Sequence, residues 1–389
     1  MKNKKILFIS HDASRTGAPI FLLNFLKWFA KHSDAPFEII LKTDGDLRFG
    51  FEEIAPVTIL NNGVHDQTNN VINKFMYRLR GINKNVPQRR WARENIGFIY
   101  SNTIANGNIL NQLRHLRCPV ITHVHELEYI IDHQRNDDVS NVKRATMHYI
   151  AASEAVKRNL VAKHQISEDK VQVIHEFIPI SEVNLSPGIK AKRELCEQLK
   201  IPESSLIVGA GGTAEWRKGP DLFIQLAHKV KKHSYDKEVH FVWVGDVQTG
   251  GLYAKLFYDL RKSKGEAFIH FIGHSDNCYD IFSSFDVLAL TSREDPFPLV
   301  MLEAAALGKP IICFDESGGA KEFVIGDCGY VVPYLDIETF ADRIVKLLND
   351  EKLRLQLGRN AALRVRSEHD ISVGAPKILK IIDTILQSK

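Results

Sequence analysis

The chain has 389 residues, of which 44% are hydrophobic and 25% are charged, and its formal net charge is +4. This composition excludes fibrous and intrinsically disordered proteins, and the length predicts two domains rather than a single core. The five cysteines are scattered and contain no C-x-x-C pair, which argues against a disulfide framework and a zinc site and favours a reducing cytosol (Cys118, Cys196, Cys278, Cys313 and Cys328).

Strand-like and helix-like segments alternate from the N-terminus. The first apolar run, Ile6 to Ile9, is too short for a signal peptide and predicts a buried β-strand. A loop at Gly17 leads into the helical stretch PIFLLNFLKWFAKH, and further strand-like runs include FEIILK, IGFIYSN, PVITHVHE and VQVIHEF. No run approaches the length that spans a bilayer.

One segment is strongly basic. Residues 67–93 contain seven basic residues and no acidic one, interleaved with apolar and aromatic side chains. A solvated surface explains most such runs, and the alternatives are contacts with anionic lipid headgroups, with a phosphorylated acceptor or with nucleic acid. We do not expect nucleic acid, since no reader motif accompanies the charges. The segment from Lys74 to Arg93 therefore predicts a contact with an anionic membrane surface.

The alternation loosens at IPISEVNLSPGIKAK and then resumes, which places a linker there. Two successive βα arrays predict an α/β protein with two doubly wound parallel sheets, residues 1–180 and 181–371. The segment at 372–389 predicts a terminal helix that packs back on the first domain, after a break near Gly374 and Pro376.

The stretch LIVGAGGTAEWRKG has Gly209, Gly211 and Ala214 at the G-x-G-x-x-A spacing of a dinucleotide fingerprint. The acidic ribose ligand expected about 20 residues later is missing. The next strand, VHFVWVGD, reaches its first acidic residue only at Asp246. An NAD-dependent dehydrogenase is therefore a weaker interpretation than a phosphate-handling loop that leads to Arg217 and Lys218.

The stretch TSREDPFPLVMLEAAALGKP is typical of a helix that starts at the end of a strand. Asp295 fits an N-cap with Pro296 in the first helical position, and Gly308 fits the helix end. Such a helix start favours a phosphate group. Glu303 lies eight residues after Asp295, about 12 Å along the predicted helix. It stands in an apolar run, where a carboxylate needs a partner such as the hydroxyls of a ribose.

Residues 292–324 resemble the signature of retaining glycosyltransferases of family 4, which have the GT-B fold. The signature has two carboxylates separated by seven residues, a glycine that closes the helix and a later G-G-x-x-E (Asp295, Glu303, Ala304, Gly308, Gly318, Gly319 and Glu322). The N-terminal glycine loop, the HVHE strand, the AAS helix and the RKG element follow in the family order. The resemblance implies two Rossmann-like domains that face each other across a cleft, the acceptor side first and the nucleotide-sugar side second.

The resemblance also implies site residues. His125 would contact the donor sugar, Lys218 would bind the departing diphosphate, and Asp295 would lie near the donor sugar, where the family more often has glutamate. Many members have an arginine where this chain has Thr213, and Arg217 is the candidate to compensate. The remaining donor-binding residues would be Gly17, Leu299, Val300 and Glu303.

We expect neither a metal ion nor another cofactor. His123 and His125 lie on one strand face, but no third ligand follows at a credible spacing. The expected co-substrate is a nucleotide diphosphate sugar. The family's favoured mechanism is a front-face reaction in which a donor phosphate oxygen accepts the acceptor's proton.

The predicted function is transfer of a sugar, with retention, to a hydroxyl of a glycan or lipid-linked acceptor, as in polysaccharide biosynthesis. The predicted place is the cytoplasm, with peripheral attachment at the inner membrane face. The alternatives are a sugar-nucleotide epimerase or phosphorylase on the same scaffold, or a noncatalytic sugar-nucleotide-binding protein.

Overall fold

The computed structural model describes residues 4–61, 90–91, 94–183, 188–233, 235–247, 251–275 and 278–387. The chain forms two compact units. The first comprises Met1–Ala152, Lys157–Ile174 and Ala375–Lys389, and the second comprises Ser153–Val156 and His175–Gly374. Apart from residues 90–91, the basic segment at 74–93 lies outside the described residues, so its contact with lipid remains a prediction.

The first unit contains a parallel sheet of seven strands. Its order is β3-β2-β1-β4-β5-β6-β7, so β1 and β4 meet where the strand order reverses. Ligands of such sheets bind outside the carboxyl ends of the strands at this switch point. The strands are β1 (Lys5–Ser10), β2 (Phe37–Thr43), β3 (Val57–Asn61), β4 (Ile96–Ser101), β5 (Val120–Val124), β6 (His148–Ala151) and β7 (Val171–Val173).

The second unit repeats this topology with six parallel strands. Its order is β10-β9-β8-β11-β12-β13, and β8 and β11 meet at the switch point. These strands are nearly all apolar because helices cover both faces of a doubly wound sheet. They are β8 (Leu206–Gly211), β9 (Val239–Val244), β10 (Ile269–Phe271), β11 (Val287–Leu290), β12 (Ile311–Phe314) and β13 (Gly329–Val332).

Helices connect the strands in both units. They are α1 (Gly17–His32), α2 (Arg48–Glu52), α3 (Gly107–Leu113), α4 (Glu128–Asp132), α5 (Asn136–Ala145), α6 (Glu154–Ala162), α7 (Gly188–Leu199), α8 (Pro220–Val230), α9 (Gly251–Lys262), α10 (Cys278–Ser283), α11 (Leu299–Ala306), α12 (Ala320–Val324), α13 (Ile337–Asn349), α14 (Glu351–Glu368) and α15 (Ile371–Gln387). None of the helices in the described ranges is both long and apolar enough to cross a membrane.

Each unit has its own aromatic core. In the first, the rings of Phe8 and Tyr100 lie 5.3 Å apart between neighbouring strands. In the second, Phe223 of α8 packs edge-on against Trp243 of β9 with 5.4 Å between ring centroids. These buried rings fix the helices against the sheets, so the loops at the strand ends are held on rigid supports.

The predicted break near Gly374 and Pro376 is wrong, because α15 runs without interruption from Ile371 to Gln387 with Pro376 inside it. Gly374 lies against Phe177, where an added Cβ would come 2.1 Å from the ring. The glycine therefore permits close packing within a continuous helix rather than ending it.

Candidate functional site

The candidate site of the second unit lies at its switch point. The connection after β8 carries Arg217 and Lys218, and the connection after β11 carries Asp295. Since β8 and β11 are parallel neighbours, both connections start from the same edge of the sheet. Residues about 80 positions apart in sequence are thereby brought into contact.

Two glycines shape the connection after β8. Gly212 has a φ of +106° and Gly219 has a φ of +70°, both in the left-handed region that favours glycine. A Cβ on Gly219 would lie 2.1 Å from the carbonyl oxygen of Thr291 in the neighbouring connection. Residues 216–218 form a single 3₁₀ turn between these glycines, and α8 follows with Pro220 in its first position. The close approach at Gly219 positions Lys218 beside the loop after β11.

Two cations converge on one buried carboxylate. The Nζ of Lys218 lies 2.5 Å from the Oδ2 of Asp295, and a guanidinium nitrogen of Arg217 lies 3.9 Å from its Oδ1. The Asp295 side chain is only 7% exposed, and those of Arg217 and Lys218 are each 15% exposed. The short turn at residues 216–218 lets these two sequence neighbours reach the same carboxylate.

Arg217 is held by several further contacts. It donates to the carbonyl oxygen of Glu294 at 2.9 Å and to the Oε1 of Glu215 at 2.7 Å. Burial disfavours its charge, but the carboxylates of Asp295 and Glu215 outweigh this and raise the pKa of Arg217. Thr213, where the resemblance leads one to expect arginine, is exposed. Arg217 therefore supplies the second cation beside Asp295.

The prediction that a helix begins at Asp295 and Pro296 is wrong. The helix α11 begins at Leu299, with Pro298 as its N-cap. The physical reason is Pro298, because a residue that precedes proline is disfavoured in the helical region. Phe297 therefore cannot easily continue a helical turn from Pro296.

Asp295 instead lies in an extended loop that is held by backbone contacts. Its amide donates to the carbonyl oxygen of Ser317 at 2.7 Å, and Asp295 pairs with Gly318 in a parallel bridge. The amide of Gly319 donates to the carbonyl oxygen of Pro296 at 3.0 Å, and a Cβ on Gly319 would lie 2.3 Å from that oxygen. The G-G pair thus allows two loops to pack closely enough to fix the Asp295 carboxylate.

The first turn of α11 contains Leu299 and Val300, two of the predicted donor-binding residues. Val300 packs on the end of β8, since a Cβ on Gly211 would come 2.7 Å from a methyl group of Val300. The backbone amides of Leu299 and Val300 are the first two of the helix, and such amides have no acceptor within their own helix. Together with the helix dipole they favour a negatively charged ligand at this end.

Glu303 is the most perturbed carboxyl group of the site. It lies four residues after Leu299, about 6 Å along the helix. Asp295 stands outside that helix, so the predicted 12 Å of helix between Asp295 and Glu303 does not form. Burial raises the pKa of Glu303 to about 7, and a hydrogen bond with Tyr279 of α10 partly offsets that rise. Burial and the neighbouring Glu303 also raise the pKa of Tyr279. The chain therefore supplies a partner for this carboxyl group that the sequence did not reveal.

His125 and Gly17 lie in the first unit, at the carboxyl edge of its sheet. The Nε2 of His125 lies 3.1 Å from the Oδ1 of Asn102, which follows β4. The Nδ2 of Asn102 donates to the carbonyl oxygen of Ala18 at 2.8 Å, in the first turn of α1. Asn102 thus links His125 to the Gly17 loop, a connection that sequence reasoning missed.

The two histidines of the HVH strand differ in their surroundings. Their ring centroids lie 4.0 Å apart. Burial, reinforced by repulsion from His125, lowers the pKa of His123 well below its usual value. Tyr100 and the Nδ1 of His123 form a hydrogen bond of 2.7 Å. His123 is therefore a neutral core residue, and His125 is the one that reaches the strand end.

Glu322, the last residue of the G-G-x-x-E pattern, caps a helix. Its carboxylate accepts hydrogen bonds from the amides of Glu154 and Ala155 at the start of α6, at 3.0 and 2.9 Å. It also pairs with the Nε2 of His175 at 2.8 Å. Burial opposes the charge, but these partners outweigh it and lower the pKa of Glu322. The motif residue therefore caps the start of α6 and pairs with His175.

Comparison with known proteins identifies the region that carries this site. Residues 191–364 match the family described as glycosyl transferases group 1. The matched region is less than half of the chain. The family region contains Arg217, Lys218, Asp295 and Glu303, so the resemblance to glycosyltransferases is confirmed, while membership of family 4 stays a prediction.

Part of the chain is similar to several curated enzymes. The D-inositol 3-phosphate glycosyltransferase of Corynebacterium aurimucosum is 25% identical over 209 residues, which cover 52% of this chain and 49% of that protein. The capsular polysaccharide biosynthesis glycosyltransferase CapM of Staphylococcus aureus is 23% identical over 245 residues, which cover 61% of this chain and 62% of that protein. The chain spans less than two thirds of the length of either relative.

A solved structure agrees with the whole chain. Alr3699/HepE of Anabaena, crystallised with UDP and glucose, matches with a TM-score of 0.81 at 20% identity. The match covers 98% of this chain and all of that one. The predicted GT-B fold, an α/β fold of two Rossmann-like domains, is confirmed.

Proposed function

We propose that this protein is a glycosyltransferase that moves a sugar from a nucleotide diphosphate sugar to a hydroxyl acceptor with retention at the anomeric carbon. The observation that carries the proposal is the convergence of Lys218 and Arg217 on Asp295 beside the first turn of α11. The switch point of a doubly wound sheet is the usual ligand site of the fold. The cations and the helix start there suit a diphosphate.

The chemistry follows from the leaving group. When the bond between the anomeric carbon and the diphosphate oxygen breaks, negative charge grows on the diphosphate. Lys218, Arg217 and the amides of Leu299 and Val300 supply positive potential that is already in place, and such preorganised groups are among the largest contributions to catalysis. Glu303 would hold the ribose hydroxyls in the second turn of α11.

The engagement of Asp295 favours the front-face mechanism. A double displacement needs a carboxylate nucleophile near the sugar. Asp295 is the first candidate, but its Oδ2 lies 2.5 Å from the Lys218 Nζ and its side chain is buried. In the front-face reaction the acceptor oxygen bonds to the anomeric carbon on the side that the diphosphate leaves, and a diphosphate oxygen takes the acceptor's proton. No protein base is then required.

The names of similar proteins suggest substrates to test. The Anabaena protein was crystallised with UDP and glucose, so UDP-glucose is the first donor to examine. CapM is named for capsular polysaccharide biosynthesis, which supports a glycan or lipid-linked acceptor. The roles that the resemblance gives to His125 and Gly17, and peripheral attachment at the inner membrane face, are parts of this proposal.

A thermal-shift screen tests donor binding. Ligands that bind only the native state raise its apparent stability. We expect UDP and UDP-glucose, or another nucleotide diphosphate and its sugar, to raise the melting temperature. A raised melting temperature without sugar transfer and without slow donor hydrolysis would instead indicate a noncatalytic sugar-nucleotide-binding protein. Formation of an epimerised donor without acceptor would indicate the epimerase.

Turnover tests the role of Lys218. We expect Lys218→Ala to lower the transfer rate about 100- to 1,000-fold, the usual loss for one preorganised group. Lys232→Ala, which removes an exposed lysine of the same unit, is the matched control and should transfer at the wild-type rate. Unchanged transfer by Lys218→Ala would contradict the proposed role. We also expect a chelator to leave transfer unchanged, and loss of activity on chelation would overturn the metal-free mechanism.

A further inference from the structure

An exposed indole adjoins the cationic pair of the candidate site. Trp216 is the residue directly before Arg217, in the same 3₁₀ turn, and 46% of its surface is exposed. Large aromatic side chains usually lose most of their surface on folding, whereas exposed ones next to a binding site commonly mark a contact surface.

The orientation of this indole is fixed from one side. The guanidinium of Arg293 lies over the ring, 5.0 Å from its centroid. Asp221 holds that guanidinium through two hydrogen bonds, of 2.8 and 2.6 Å. Arg293 also donates to the carbonyl oxygen of Trp216 at 2.9 Å. A bidentate pair and a cation–π contact therefore preorganise the ring, which lowers the entropy lost when a ligand stacks on it.

A second exposed aromatic residue lies at the same edge of the sheet. Tyr334 follows β13 and is 45% exposed. Trp216 and Tyr334 both follow strands of the second sheet, so they occupy its carboxyl edge, like Lys218 and Asp295. The aromatic surface, formed by Trp216 and the Arg293 guanidinium over its ring, thus lies on the same edge as the anion site.

Sugar rings match this combination of groups. One face of a pyranose carries C–H groups that pack on an aromatic ring, while its hydroxyls need polar partners around the rim. The aromatic surface offers a flat ring, and the Asp221 carboxylate beside it is 35% exposed and can accept hydroxyl hydrogen bonds. A purely apolar partner would form no hydrogen bonds with the carboxylate or the guanidinium.

We propose that Trp216, oriented by Arg293 and Asp221, is a stacking platform for a sugar ring of a glycan acceptor. The proposal rests on the proposed function and adds an acceptor subsite in the second unit. The platform binds a ring of the acceptor other than the one that receives the new sugar, and so selects oligosaccharides over single sugars.

Binding to an oligosaccharide panel tests the platform. The full-length wild type, Trp216→Ala and Trp216→Phe are measured on a printed panel of neutral and acidic oligosaccharides with their monosaccharides. We expect the wild type to bind at least one oligosaccharide, and Trp216→Ala to bind it about tenfold more weakly, a loss of about 1.4 kcal/mol. Trp216→Phe keeps a flat ring and should retain most of the binding. Tyr258→Ala, which removes an exposed aromatic side chain of α9, is the matched control and should bind as wild type does.

Two further readouts separate this proposal from the proposed function. The UDP-induced thermal shift should be the same in Trp216→Ala and wild type, and with a panel member as acceptor the variant should show a raised acceptor KM with kcat retained. Wild type that binds no oligosaccharide, or Trp216→Ala that binds as wild type does, would overturn the platform. If UDP no longer raised the melting temperature of Trp216→Ala, the ring would be assigned to nucleotide binding. That result would also overturn the acceptor platform. The proposed function would instead be refuted if nucleotides did not raise the melting temperature of the wild type and the wild type did not turn over the donor.

Discussion

Replacing Glu303 with glutamine should stabilise the protein at alkaline pH and weaken nucleotide binding at the same time. Burial raises the pKa of Glu303 from 4.5 to about 7 in the folded protein. Between these pH values the folded state keeps a proton that the unfolded state releases, so the free energy of unfolding falls as the pH rises through this window. At about 1.4 kcal/mol per pH unit, the ionised carboxylate costs about 3 kcal/mol above pH 7.

Glutamine has nearly the shape of the protonated acid and can keep a hydrogen bond to Tyr279 without a charge. Glu303→Gln should therefore match the wild type near pH 4.5 and exceed its stability by about 3 kcal/mol at pH 8.5. For a domain of this size the gain corresponds to roughly 6–12 °C in melting temperature.

Calorimetric scans of both proteins across this pH range measure the effect. The difference between the two melting temperatures isolates Glu303, because every other titrating group is common to both. A difference that does not grow between pH 4.5 and 8.5 would refute the argument. UDP should raise the melting temperature of the same variant less than that of the wild type at pH 8.5. This is expected where a group that destabilises the fold is retained because it binds the ligand.

Three further substitutions test the loops of the site. Gly319→Ala places a Cβ 2.3 Å from the Pro296 carbonyl oxygen and should lower the free energy of unfolding by about 1–3 kcal/mol, measured by denaturant titration. In the control Gly251→Ala the added Cβ meets no atom within 4 Å, so the free energy of unfolding should not change. Gly17 also has open space around it, so Gly17→Ala should have the melting temperature of the wild type. Its sugar-transfer rate should be lower if the donor sugar approaches this backbone. An unchanged transfer rate would remove Gly17 from the site. Asp295→Asn removes the carboxylate that Lys218 and Arg217 share and should bind UDP about tenfold more tightly, by ~1.4 kcal/mol, in calorimetric titration. Weaker binding would contradict the charge argument.

The sequence predicted the fold because its signals are local and repeated. Alternating apolar strands and helices specify two doubly wound sheets, and the switch point follows from that topology alone. The start of α11 was also readable, since Phe297 precedes Pro298 and is thereby disfavoured in a helix. The error came from giving the Asp295 and Pro296 capping pattern more weight than the second proline.

Other parts of the site depend on contacts that no local pattern encodes. The hydrogen bond between Tyr279 and Glu303 joins two helices separated by a strand, and Glu322 caps a helix that begins at residue 154. The convergence of Arg217 on Asp295 needs the left-handed glycine at 219, which packs against the Thr291 carbonyl. Such contacts between distant residues could be found only once the fold was known.

The charges of the site show how it can fold before its ligand arrives. Lys218 and Arg217 would repel each other in a buried site, and an unpaired buried cation is costly, but Asp295 and Glu215 lie within ion-pair distance of them. In the proposed function a diphosphate competes with Asp295 for Lys218, and part of its binding energy is spent on that exchange. The exchange becomes more favourable as charge grows on the leaving diphosphate, because a more negative oxygen competes better for the ammonium group. Under the proposed function, the cationic pair would bind the breaking bond more strongly than the intact donor, which is the condition for accelerating the reaction.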